Sequence, residues 1–171
     1  KLDSLGNVLW KRRLRDSYHT YNDYAHGVAT DSSDNAYICG QHHRQQQYGS
    51  TTDKKEAFVA KYDPSGNLLW QRALGGTGDQ YLMKLQVDGL GNIYAVGRTV
   101  GDLLIVKYDS SGNMQWYRTY EDTEITENAT SGSYGNSIHI DSSGNIYVTG
   151  YTEGIVDGGI YRGTRDVLVA K

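Results

Sequence analysis

The chain has 171 residues, 37% of them hydrophobic, with 21 glycines, 15 tyrosines and a single proline, which allows one domain with its own core. A formal charge of −3 gives no reason to propose nucleic acid or an anionic membrane surface as a partner. No apolar run approaches the roughly 18 residues of a spanning helix, and the lone cysteine, Cys39, rules out an internal disulfide.

The organising feature is a repeat. Lys1-Leu2-Asp3-Ser4-Leu5-Gly6-Asn7-Val8-Leu9-Trp10 opens the chain. Its pattern returns as Lys61-Tyr62-Asp63-Pro64-Ser65-Gly66-Asn67-Leu68-Leu69-Trp70 and as Lys107-Tyr108-Asp109-Ser110-Ser111-Gly112-Asn113-Met114-Gln115-Trp116. A related unit alternates with it, beginning at Asp31, Asp88 and Asp141 and ending at Tyr37, Tyr94 and Tyr147. The chain divides into one domain of three repeats, at about 1–60, 61–106 and 107–171. Both ends fall inside the pattern, which reads as a piece of a longer protein.

Each repeat reads as four short strands. The first set is 25–30, 35–40, 57–62 and 67–72; the second is 82–87, 92–97, 103–108 and 113–119; the third is 136–140, 145–150 and 166–171. Segment 7–13 carries the fourth-strand pattern that the third set lacks. Their lengths and their Val, Ile, Leu, Tyr and Trp content are those of strands, and no helical period is sustained. In the Asp-x-x-Gly-Asn unit, Asp caps a tight turn by accepting backbone N–H bonds two or three residues on, and Gly supplies a positive φ. Asp34 replaces that glycine once, and Asp tolerates the left-handed region. One carboxylate per turn falls far short of the six to eight oxygens of a calcium site.

Three small four-stranded meanders predict an all-β architecture of stacked propeller blades. The pattern Asp-x-x-Gly-Asn-x-Tyr-x-x-Gly, a variable loop, then Val-x-Lys-(Tyr/Leu)-Asp-x-x-Gly-Asn-x-x-Trp resembles the SBBP type of β-propeller repeat. The resemblance implies a propeller found in secreted, cell-surface or phage-associated proteins, with localisation outside the cell or on a virion surface. Three blades are too few for a ring. Either further blades of a longer chain complete it, or copies self-associate, with the N-terminal strand completing the last or a neighbouring blade.

The Asp-x-x-Gly-Asn hairpins share one end of the blades, and the variable connections share the other: 41–56, 98–102 and 151–165, with 14–24, 74–81 and 120–135. Any binding site is expected at this variable end. Tyr18, His19, Tyr21 and Tyr24 form an aromatic and polar cluster suited to glycan stacking or a protein interface. His42, His43, Arg44, Gln46 and Tyr48 form a second, hydrogen-bond-rich one. The paired histidines lack a third ligand, so no metal and no cofactor is expected. Cys39, the tryptophans and the strand tyrosines recur by position and read as packing residues. The expected function is a non-enzymatic structural or binding module for a protein or glycan. The alternative is a carbohydrate-active hydrolase or lyase using Asp16, Asp23, Glu121 and Glu124.

Overall fold

A computed structural model of the chain describes residues 1–14, 23–45, 53–76, 78–120, 132–152 and 166–171, without the side chains of Arg44, Gln45, Asp53 and Asp166. The strands are β1 (Tyr24–Thr30), β2 (Ala36–Gln45), β3 (Asp53–Tyr62), β4 (Leu68–Ala73), β5 (Gln80–Val87), β6 (Ile93–Thr99), β7 (Asp102–Tyr108), β8 (Met114–Tyr120), β9 (Ser133–Ile140), β10 (Ile146–Thr152) and β11 (Asp166–Ala170). They form three antiparallel meanders, β1-β2-β3-β4, β5-β6-β7-β8 and β9-β10-β11. The all-β, blade-like reading of the sequence holds, and the three sheets do not close into a ring.

The turns set the register. In each Asp-x-x-Gly-Asn unit the glycine N–H donates to the aspartate carbonyl, and the aspartate N–H donates to the asparagine carbonyl. The glycines hold φ near +80°, as at Gly66 (φ 82) and Gly112 (φ 81), and Asp34 takes their place at φ 64. The aspartate carboxylate accepts backbone N–H groups two and four residues on, as Ser33 and Asn35 donate to Asp31. The intermediate N–H is already committed to the carbonyl, which is why the second bond skips a residue.

Alternating side chains bury both faces of the middle sheet. Tyr37, Cys39, Ala57 and Val59 of the first sheet pack on Leu82, Ile93, Ala95, Leu104 and Val106 of the second. The opposite face of the second sheet, Tyr94, Val96, Leu103 and Ile105, packs on Ile138, Ile140, Val148 and Leu168 of the third. Glycines Gly40, Gly97 and Gly150 sit opposite irregularities in the first strand of each sheet. A Cβ there would run into the carbonyl oxygens of Tyr24, Tyr81 and Tyr134, so the repeat requires glycine at these positions.

Two predicted elements differ. The connection 41–56 is shorter than expected, because the β2–β3 ladder runs unbroken from Ala36↔Tyr62 to Gln45↔Asp53. Polarity made 41–45 read as loop, yet a ladder already in register extends through polar pairs. Segment 7–13 is not a strand of any described sheet. It is held in a turn closed on itself by a Leu2↔Val8 bridge and by the amino terminus donating to Trp10 O at 2.8 Å. The third sheet, which lacks the fourth strand, runs β11-β10-β9, and among the described residues no strand pairs with the outer edge of β11.

Candidate functional site

The hairpin end of the blades is internally satisfied. The second carboxylate oxygen of each turn aspartate accepts the side-chain amide of the asparagine four residues on, at 2.7 Å in Asp63 and Asp141. The strand tyrosine reaches the same oxygen in Asp31 (Tyr37, 2.9 Å) and Asp141 (Tyr147, 3.2 Å). These bonds stabilise the ionised form. Asn7, Asn67 and Asn145 amides lower the carboxyl pKa of Asp3, Asp63 and Asp141, and the backbone N–H of Asn113 does so for Asp109. At Asp31 and Asp88 burial pulls upward but is outweighed by the same bonds. Burial and the neighbouring Asp31 push the Tyr37 phenol up. Lys61, Lys107 and Lys171 lie over the rings of Tyr37, Tyr94 and Tyr147 at 5.0, 4.9 and 5.5 Å.

A latch joins each blade to the next. The ring of Trp70 in the first sheet covers Gly112 in the second, so closely that a Cβ there would meet it at 2.9 Å. Arg72 Nε donates to Gly112 O at 2.9 Å, and its guanidinium lies over Trp70 at 5.7 Å. The N-terminal segment repeats this on the first sheet: Trp10 covers Gly66, and Arg12 Nε donates to Gly66 O at 2.9 Å. Trp116 and Arg118 have the same internal geometry, 5.9 Å apart. Among the described residues, however, Arg118 donates only to its neighbour Tyr117 O. The sequence carried this signal, an arginine two residues after each tryptophan, but the sequence reading took only the tryptophans.

At the loop end, Tyr18, His19, Tyr21, Gln46 and Tyr48 lie outside the described residues, as do Asp16, Glu121 and Glu124. Arg44 is described by its backbone in β2 alone. Tyr24 is exposed on β1, its ring 6.3 Å from that of His43 and 6.2 Å from that of His26. His42, expected in a surface loop, is buried in β2 and stacked on Phe58 at 4.2 Å. Its Nδ1 lies 3.2 Å from Asp23 Oδ1, off the line that a hydrogen bond needs, and its Nε2 lies 2.6 Å from Gln71 Nε2. The two histidines point to opposite sides, as neighbours on a strand must, and no group of three metal-ligating side chains occurs among the described residues. Across the blade joints, Lys55 Nζ donates to Tyr81 OH at 2.9 Å beside Asp79, and that tyrosine bond raises the lysine pKa. Arg98 bonds Tyr134, which stacks on Tyr151 at 4.4 Å.

The outer face of the first sheet bears a groove of about 480 Å³. Trp10 and Arg12 line one side, and Val28, Ile38, Phe58 and His42 line the other. Tyr24 and His42 thus belong to both the loop end and the groove, and Tyr24 lies beside His43.

Residues 10–41 and 124–155 match the family model SBBP, a beta-propeller repeat. No curated protein matches the chain. Among solved structures, a protein of unknown function from Bacteroides caccae matches with a TM-score of 0.51 at 10% identity, over 95% of this chain and 51% of that one. The chain thus spans about half the length of that neighbour, and the likeness concerns the fold. Two stretches of the chain thus fit the SBBP beta-propeller repeat, and its three antiparallel sheets have the form of propeller blades.

Proposed function

We propose that the chain is a non-enzymatic binding module of a cell or particle surface, outside the cell, which contacts a protein or glycan through the loop end of its blades. The observation that carries this reading is the contrast between the two ends. At the hairpin end every turn carboxylate is bonded by its own turn, which leaves little for a ligand. At the loop end the side chains differ from blade to blade: Gln41, Arg98 and Tyr151 hold one register position, and His42, Thr99 and Thr152 the next. Exposed Tyr24 adds an aromatic face beside His43, the kind of amphipathic surface that glycans and proteins stack on.

The test removes residues 46–52, which leaves Gln45 and Asp53 as a two-residue turn and spares the β2–β3 ladder from Ala36↔Tyr62 to Arg44↔Lys54. A glycan array and a surface-protein capture are run with the parent and the deleted chain. Retained melting with lost binding supports the module; binding that survives this deletion and Tyr24→Ala together removes the loop end from consideration. The hydrolase reading retains one described carboxylate, Asp23, which faces His42. It is tested by turnover of a polysaccharide panel by the parent chain and by Asp23→Asn.

A further inference from the structure

We infer that the loop end of the joint between the first and second sheets is a subsite for a pyranose unit of a neutral glycan, held by Gln41, Gln80, Lys55 and Asp79 with Tyr24 beside them; this rests on the loop-end reading above and narrows it to one ligand class at one joint.

The chain carries its own comparison, because the same strand positions meet at two joints. Register makes Gln41 the counterpart of Arg98, Gln80 that of Ser133, and Tyr81 that of Tyr134. At the second joint these groups are engaged: Arg98 reaches across to the Tyr134 hydroxyl, and Ser133 N donates to Gly101 O at 2.7 Å. At the first joint a different strand takes the tyrosine. Lys55 of β3 donates to Tyr81 OH at 2.9 Å, and that hydroxyl donates to Asp79 Oδ2 at 3.2 Å. Gln41 therefore loses the partner that its counterpart has. It is 7% exposed, and among the described residues its Oε1 has no hydrogen-bond partner. Gln80, 8% exposed, is in the same position. Its Nε2 donates to Gly75 O at 2.7 Å, which fixes the amide and leaves a buried Oε1 without a donor among the described residues.

Both glutamines belong to one place. Gln41 pairs with Ala57 across β2–β3, Ala57 O accepts Leu74 N at 2.9 Å, and the next residue, Gly75, is the one that Gln80 holds. Asp79, which precedes Gln80, accepts Lys55 N at 3.0 Å. The backbone against Gln80 is bare: Gly76, at φ 138, lies so close that a Cβ there would stand 2.5 Å from Gln80 Nε2. A glycine segment gives way to an entering group more readily than a packed side chain does.

The chemistry of these atoms selects the ligand. Buried carbonyl oxygens that lack donors favour a ligand rich in hydrogen-bond donors. A sugar hydroxyl both donates and accepts, so it serves Gln80, and it serves Gln41 in either orientation of the amide. Lys55 and Asp79 lie 3.8 Å apart and offset each other's charge, so a carboxylate or sulfate finds no net positive field here and faces carbonyl oxygens instead. Tyr24, directly across from Gln41 and 45% exposed, supplies a face for the pyranose ring.

The experiment is isothermal titration of the 171-residue chain with soluble neutral hexose oligomers and, in parallel, with uronate oligomers. The neutral oligomers are expected to bind and the uronates are not. Gln41→Met keeps the side-chain length and removes the orphaned oxygen, so it should melt no lower than the parent while the dissociation constant rises about tenfold; Gln80→Met should weaken binding by a similar factor. A lower melting temperature for Gln41→Met would show that the oxygen is already paired in the free protein and overturns the inference. Parent-like binding by both variants, or equal binding of uronates, overturns the subsite; loss of that binding on removal of 46–52 then keeps the loop-end reading without it. Failure of every neutral oligomer to bind at millimolar concentration also overturns the inference, and a surface protein captured by the parent but not by the deleted chain then makes the loop end a protein site. Binding that survives both glutamine variants, the deletion and Tyr24→Ala removes both readings.

Discussion

Gly112 and Gly144 occupy the same position of the same turn, at φ 81 and φ 80, but only Gly112 lies under a tryptophan. Alanine at Gly144 meets nothing within 4 Å, so its cost is the left-handed backbone alone, roughly 1–2 kcal/mol. At Gly112 the same strain applies, and the new Cβ would also stand 2.9–3.1 Å from the Trp70 ring. That ring is half-buried in the first joint and cannot retreat without disturbing Tyr37, 6.2 Å away. Overpacking of this kind adds about 1–3 kcal/mol. Urea unfolding followed by far-ultraviolet circular dichroism, at one fixed chain concentration, should place Gly112→Ala below Gly144→Ala by that increment. The control is Trp70→Leu, in whose background Gly112→Ala should cost no more than Gly144→Ala. Equal costs for the two alanines in the parent chain would refute the latch as a steric closure over the turn.

Stability should be level at neutral pH and fall under acid. The turn aspartates have folded pKa values below the ordinary aspartate value, so their stabilisation is complete above that ordinary value and is lost as pH drops through the lower folded values. Asp63→Asn should flatten this acid limb in a pH series of urea midpoints. Cys39 is fully buried and burial pushes its thiol up to about 12; a disulfide reagent at mildly alkaline pH should label it only on unfolding, and fast labelling of the native chain would contradict its place in the joint. Arg72→Ala, which loses the Gly112 bond and its stacking on Trp70, should destabilise by about 1–2 kcal/mol in the same urea assay. Gly97→Ala should be among the most damaging small changes, since its methyl meets the Tyr81 carbonyl rather than a movable side chain; a melting shift within error would show that the strand irregularity relaxes freely.

What the sequence made legible was whatever repeats. Strand order, blade number and the turn chemistry all follow from residues recurring in register, and even the exception at Asp34 was readable because five glycines surround it in the pattern. The role of the turn asparagine was not read, although it recurs, because its amide bonds a carboxylate whose other oxygen was already accounted for. Arg12, Arg72 and Arg118 recur as visibly as their tryptophans; the distant acceptors of the first two, Gly66 O for Arg12 at 54 residues and Gly112 O for Arg72 at 40, are invisible to any local pattern. His42 shows the opposite limit. It breaks the repeat once, and polarity alone placed it in a loop. Its burial depends on Phe58, Gln71 and Asp23 converging from three other segments, which no spacing announces.

The latch also has a consequence for how such chains change. What its arginine grips is a pair of carbonyl oxygens, those of the turn glycine and the serine before it, so the receiving turn can read Pro-Ser-Gly at 64–66 or Ser-Ser-Gly at 110–112 without altering the arginine's hold. A fastener that ignores side-chain spelling joins any blade to any other. Duplication, loss or exchange of whole repeats then leaves every joint intact, and the loops at the far end are free to diverge with no penalty to the stack that carries them.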